Sequence, residues 1–239
     1  MTGRAPAWVP SPALTIAPEV FERLPGLRVV VVVAEEIAPQ LAEDVAARWS
    51  AAWARVHVDP GFPNPQSHPH VAAWRAAMKG IGAPHKEFPT SVESLVRRAM
   101  KSPAPFRVNP LVDFYNAVCL EHVVPAGGFD LDALPEPLAL RLTRAGDTFQ
   151  ALDAGEREAV PAGEVAYASG NAVVTRHLVW RQSRLGLVTP ATRRAVLVSE
   201  ILPAHGELLE PVRAALAGGL RDLFGARVSS SVLSEERAA

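Results

Sequence analysis

A single cysteine, Cys119, stands in a chain of 239 residues. The chain therefore has no internal disulfide and no cysteine-built zinc site, and a reducing compartment is expected. Charge of either sign is not in excess: 24 Lys+Arg against 25 Asp+Glu leave a net charge of -1. That balance excludes a globally basic nucleic-acid binder and confines any RNA contact to a local patch. Long hydrophobic runs are missing as well. The longest fully apolar stretch, residues 29–34, is too short to span a bilayer. The first residues lack a basic segment followed by an apolar one, so no signal peptide and no membrane association are expected, and the cytoplasm is the expected location. There is no phosphate-binding glycine loop, no dinucleotide glycine fingerprint after residues 29–34, and no serine elbow.

What the chain does have is 49% hydrophobic residues, enough for a packed core, and 22 prolines that punctuate its elements. Valine-rich residues 27–34 predict a buried strand. Residues 39–56 predict a helix with Leu41, Val45, Trp49, Ala52, Trp53 and Val56 along one stripe. Val71, Trp74 and Met78 mark a second helix, ended by Gly80 and Gly82. Thr90-Ser91-Val92-Glu93 has the form of a capping box, with the Glu93 carboxylate reaching back. The helix it opens turns Val92, Leu95, Val96 and Ala99 inward. Asn109-Pro110 starts another helix. Strands are expected at 138–143, 148–152, 164–168, 173–182 and 195–202. A last helix is expected at 206–224, weakened by Gly218-Gly219, then a frayed polar tail. Helices first and strands afterwards predict an α+β fold, with helices packed on a mainly antiparallel sheet. The expected organisation is one domain over 1–225 and a tail over 226–239.

Few residues announce chemistry. Among seven histidines, His68 and His70 are either a metal pair or solvated and capping residues. No third ligand stands near them, so no metal site is predicted; His57, His85 and His205 are expected alone at the surface. Cys119 falls on the apolar side of its helix and reads as a structural thiol. Asp113 and Asn116 share a helical face. The Asn116 amide both donates and accepts, which suits a small polar ligand; Asp113 serves either that ligand or the helix dipole and its neighbouring turn. Gly127-Gly128 permits either a tight turn with positive torsions or close approach of a ligand. On one long strand, Arg176, Leu178, Trp180, Gln182 and Arg184 would share a face. They read either as an RNA-stacking surface or as a core Trp180 flanked by ion-paired arginines. Arg193-Arg194 adds positive charge nearby.

Asn109-Pro110-Leu111-Val112-Asp113-Phe114-Tyr115-Asn116 followed by Pro125-Ala126-Gly127-Gly128-Phe129-Asp130 resembles the editing domain of the beta subunit of bacterial phenylalanyl-tRNA synthetase. That family carries an Asn-x-x-Val-Asp-x-x-Asn helix and then a Pro-x-His-x-Phe-Asp turn. Further pieces resemble free-standing members of the same domain family: His68-Pro69, Trp74-Arg75, residues 91–95 with Arg97-Arg98, residues 163–167, Arg176, Trp180-Arg181-Gln182, and Thr189 with Thr192. The resemblance spans about residues 20–225. It implies a tRNA or aminoacyl-tRNA partner and hydrolysis of the ester of mischarged tRNA, with no cofactor. Carried over by position, Asn116, Tyr115, Gly127, Gly128 and Glu200 are substrate-binding candidates, and Arg176, Arg181 and Arg193 are candidates for the tRNA end. Tyr115 replaces a small hydroxyl residue of the family. Gly127 replaces its histidine, and Glu200 matches the glutamate that recognises a tyrosine hydroxyl or is a strand-end carboxylate paired with an arginine. A non-catalytic tRNA-binding module and an amino-acid-like small-molecule binder stand as alternatives.

Overall fold

The computed structural model describes residues 13–38 and 42–238. Its architecture is α+β. The elements run β1 (Leu14–Ile16), α1 (Pro18–Arg23), β2 (Arg28–Glu35), α2 (Ala42–Val58), α3 (Pro69–Gly80), α4 (Ser91–Lys101), α5 (Pro110–His122) and β3 (Gly127–Asp130). Then come β4 (Leu138–Leu142), β5 (Thr148–Phe149), β6 (Glu158–Ala159), β7 (Val165–Ser169), β8 (Ala172–Arg176), β9 (Arg181–Gln182), β10 (Arg194–Ile201), α6 (Leu209–Phe224) and β11 (Arg227–Leu233). The strands divide between two sheets rather than sharing one. A four-stranded antiparallel sheet has the order β11-β2-β10-β3, and a seven-stranded sheet has the order β1-β4-β7-β8-β5-β6 with β9 on β8. In the larger sheet only β1–β4 and β5–β8 are parallel pairs.

Strand β2 shows why a continuous valine run is needed. Val29 and Val31 pack into one apolar cluster with Val196 and Val198 of β10, while Val30 and Val32 pack into another with Leu197. Both faces of this sheet are covered, so both phases of the strand must be apolar. The helical stripes fall where the spacing predicts: α2 buries Val45, Trp49, Ala52, Trp53 and Val56, and α3 buries Val71, Trp74 and Met78. Pro39 and Leu41, expected to open α2, lie outside the described residues. Asn109 caps α5 by accepting from the Val112 amide, with Pro110 in the first turn. Thr90 caps α4 by accepting from the Glu93 amide.

Four expectations are corrected. The Glu93 carboxylate does not reach back to Thr90; it is buried and takes hydrogen bonds from Arg75 and Arg97. The strand expected over 173–182 is two short strands, β8 and β9, separated by His177 and Leu178 in left-handed conformation (φ 46° and 60°). Left-handed backbone is uncommon for non-glycine residues and must be held from outside. Glu164 holds it here, accepting from the His177 amide and from Arg176 Nε. The strand over 148–152 shortens to two residues, with Ala151 making one isolated bridge to Ser183. The tail is not frayed: β11 pairs with β2 from Arg227↔Glu35 to Leu233↔Val29. Backbone hydrogen bonds to an exposed sheet edge hold it, which side-chain polarity does not reveal.

Candidate functional site

A cavity of about 190 Å³ lies between the two sheets and the middle of α5. Its walls include Tyr115 and Asn116 from α5, Gly127 to Phe129 from β3, Tyr167 from β7, Leu178 to Gln182, and Val198 and Glu200 from β10. All five substrate-binding candidates line it. The β3–β10 register explains the convergence. Gly127 faces Val198, so it shares the cavity face of the sheet with Val198 and Glu200. A Cβ on Gly127 would have nothing within 4 Å. Gly128 points to the other face, where a Cβ would come within 2.5 Å of Leu197 and 3.2 Å of the Tyr115 ring. Neither glycine has a positive φ. The tight-turn expectation for them is thus corrected: they belong to an extended edge strand, and it is Gly128 that needs its missing side chain.

Glu200 sits at the cavity floor, 2% exposed. It is paired with Tyr167, not with an arginine. The Tyr167 hydroxyl donates to Glu200 Oε1 at 2.5 Å, linking β7 of the larger sheet to β10 of the smaller. Burial pushes the Glu200 carboxyl up to about 7, against the pull of the Tyr167 hydrogen bond. Burial, reinforced by Glu200, likewise raises the Tyr167 hydroxyl well above its ordinary value. Tyr115 is raised by burial and by nearby Asp113. No histidine lines the cavity.

The Asn116 side chain makes no hydrogen bond among the described residues and borders a second cavity of about 210 Å³. Ser91, Ser94 and Arg98 of α4 and Cys119 line that space too. Arg98 stacks over the Phe106 ring and has no ion-pair partner among the described residues. Cys119 is buried, and burial pushes its thiol up to about 12, as suits a structural residue. Asp113 lines neither cavity; it accepts from the Val108 amide and faces Arg107 at 3.6 Å, so it secures the approach to α5.

The three arginine candidates separate. Arg181 stands at the cavity wall, half-exposed, with Asp153 at 2.6 Å. Arg176 is largely buried in an ion pair with Glu164, and Arg193 hydrogen-bonds the Pro190 and Thr192 carbonyls. Neither lines the cavity. Tyr167 and Gln182 stand within resembling segments; Gln182 is expected on the arginine-bearing strand face, and neither is among the substrate-binding candidates. Gln182 Nε2 donates to the Gly128 carbonyl at 3.1 Å and fixes β9 against the edge of β3. Ser91 enters through its backbone, donating to the Val179 carbonyl at 2.8 Å.

The profile of the B3/4 domain matches residues 73–206, more than half of the chain. The chain belongs to the B3/4 domain family. Every residue of the cavity wall lies within the matched span. The resemblance drawn from the sequence holds at this level: the chain is a relative of the phenylalanyl-tRNA synthetase beta-subunit domain. Among solved structures, it is similar to an N-terminal fragment of the phenylalanyl-tRNA synthetase beta subunit from Pyrococcus horikoshii, with 10% identity and a TM-score of 0.49. That match covers 92% of this chain and 54% of the fragment, so the chain spans about half the fragment's length. No curated protein matches it in sequence. No helix among the described residues is long and apolar enough to cross a membrane.

Proposed function

We propose that this B3/4 domain binds the aminoacyl end of a charged tRNA and hydrolyses the ester of mischarged tRNA in trans. The observation that carries the reading is the convergence of Asn116, Tyr115, Gly127, Gly128 and Glu200, distant in sequence, on one cavity large enough for an amino acid. The side chain of the amino acid enters between the sheets, over Gly127. Asn116 stands where the first cavity meets the second and reads the amino-acid backbone or the terminal ribose. The second cavity, with Ser91, Ser94 and Arg98, takes the ribose and its phosphate.

Chemistry follows from what the wall offers. β3 is an edge strand, and its outward groups alternate. The Asp130 amide donates outward to the Gly186 carbonyl, and the Gly128 carbonyl accepts outward from Gln182, so the Gly128 amide faces the same open edge. That amide is the donor for the ester carbonyl oxygen as charge develops on it. A bound water attacks the carbonyl carbon, the bond to the ribose oxygen breaks, and the proton that the water gives up passes to that oxygen. Free amino acid and uncharged tRNA leave. Positioning, not a histidine base, supplies the acceleration. The Tyr167 hydroxyl takes up one lone pair of Glu200 Oε1, so this carboxyl already has a protein partner where the resemblance places recognition of a tyrosine hydroxyl.

One observation favours a second reading, a binding module without turnover: the cavity has no histidine, and its one carboxyl is buried and hydrogen-bonded. A panel of correctly and incorrectly charged tRNAs under single-turnover conditions tests both. Selective loss of one misacylated species supports hydrolysis. Tight binding of charged over uncharged tRNA with the ester intact supports the module. Equal indifference to every charged tRNA contradicts both.

A further inference from the structure

Away from the cavity, His70 at the start of α3 and His205 in the short 3-10 segment Pro203–Leu208 face each other with ring centroids 4.1 Å apart. The expectation that His205 stands alone is therefore corrected. Glu207 joins them: one ligand atom from each of His70, His205 and Glu207 falls within 4.8 Å of the others. We propose that these three residues form a binding site for a divalent transition-metal ion of the Zn²⁺ class, one that closes the segment after β10 onto α3.

Three further observations support the site. His70 Nδ1 lies 3.1 Å from the His122 carbonyl. A carbonyl only accepts, so Nδ1 carries the proton and Nε2 presents its lone pair; a backbone carbonyl behind a metal-binding imidazole is the usual way its tautomer is set. His205 Nε2 is buried with no hydrogen-bond partner, an unfavourable state for a ring nitrogen that metal or proton binding would relieve. The backbone also leaves helical geometry at His205 (φ -131°, ψ 37°), where its ring packs beside His70. His68 is not a ligand through Nδ1, because that atom accepts the His70 amide and caps α3. Two imidazoles and one carboxylate suit Zn²⁺, Co²⁺ or Ni²⁺ and leave a position for water, whereas Mg²⁺ prefers oxygen donors. The exposed Glu207 side chain gives the site an approach from solvent.

The test uses the full chain without a histidine tag, stripped with chelator and titrated calorimetrically with Zn²⁺, then with Co²⁺ while the visible absorption is followed. One equivalent of Zn²⁺ should bind, raise Tm, and resist a large excess of Mg²⁺. His70→Asn and His205→Asn should each weaken binding by at least about tenfold. Glu207→Gln, at an exposed position that cannot threaten the fold, should weaken it measurably, and His85→Asn should not. Binding well below one equivalent, or full affinity retained in Glu207→Gln and in folded His205→Asn, overturns the site.

Discussion

Glu200 meets two environments, water in the unfolded chain and the cavity floor in the folded one. Its carboxyl rises from the ordinary 4.5 to about 7 because burial disfavours the charge. The folded state therefore holds the proton more tightly. The stabilisation is fully present below 4.5 and is lost as pH rises through about 7, a change of roughly 3 kcal/mol. Melting curves across this window should show the wild type losing stability toward alkaline pH and Glu200→Gln losing much less. Parallel curves would mean that Glu200 does not titrate there. The paired glycines separate in the same concrete way. Gly128→Ala drives a methyl into Leu197 and Tyr115 and should cost about 1–3 kcal/mol. Gly127→Ala meets open space and should stay within about 0.5 kcal/mol. Chemical denaturation of both variants decides it. The resemblance pointed to both positions, but only the register of β3 on β10 shows which glycine serves packing and which opens the cavity.

Helix α6 reverses what propensity alone predicts. Gly218 and Gly219 both lower its intrinsic stability, yet the Gly219 backbone lies against the Phe114 ring of α5, and a Cβ there would clash with that ring. Gly219→Ala should therefore lower Tm, while Gly218→Ala, with nothing within 4 Å, should raise stability by up to about 1 kcal/mol. Helix α4 hides a similar reversal. Burial pushes the Glu93 carboxyl up, but hydrogen bonds from Arg75 and Arg97 outweigh it and hold the carboxyl below its usual range. The stripes of α2, α3 and α4 were legible because helical periodicity is local: every contact repeats within a few residues. The break between β8 and β9 was not, since a distant Glu164 imposes the left-handed turn on residues that would otherwise continue the strand. Nor was the fate of Arg176, whose exposed and ion-paired forms have the same sequence. Where the cavity residues meet depends on two sheets approaching each other through Tyr167 and Glu200, and no spacing along the chain encodes that distance.

Across the whole molecule, a net charge of -1 gives tRNA no general attraction, so on the proposed reading affinity comes from a few cations beside the cavities. Arg181 lines the first and Arg98 the second, and the proposal assigns the contact to them. Binding to uncharged tRNA should fall with salt on a shallow slope, corresponding to only a few phosphate contacts. Arg98→Glu and Arg181→Glu should weaken it, and Arg193→Glu, which lies outside both cavities, much less. A slope unaffected by either cavity variant would place the RNA elsewhere. The central claim is that the space over Gly127 holds the amino acid of a charged tRNA. Gly127→Leu extends a side chain into that space from a position whose Cβ meets nothing within 4 Å, and Tm checks that the fold survives. The most direct measurement is single-turnover hydrolysis of the misacylated tRNA that the wild type selects, repeated with Gly127→Leu. The variant should melt like the wild type and lose hydrolysis at least about tenfold, while its affinity for uncharged tRNA is retained; a folded Gly127→Leu that hydrolyses the same tRNA at the wild-type rate would contradict the claim.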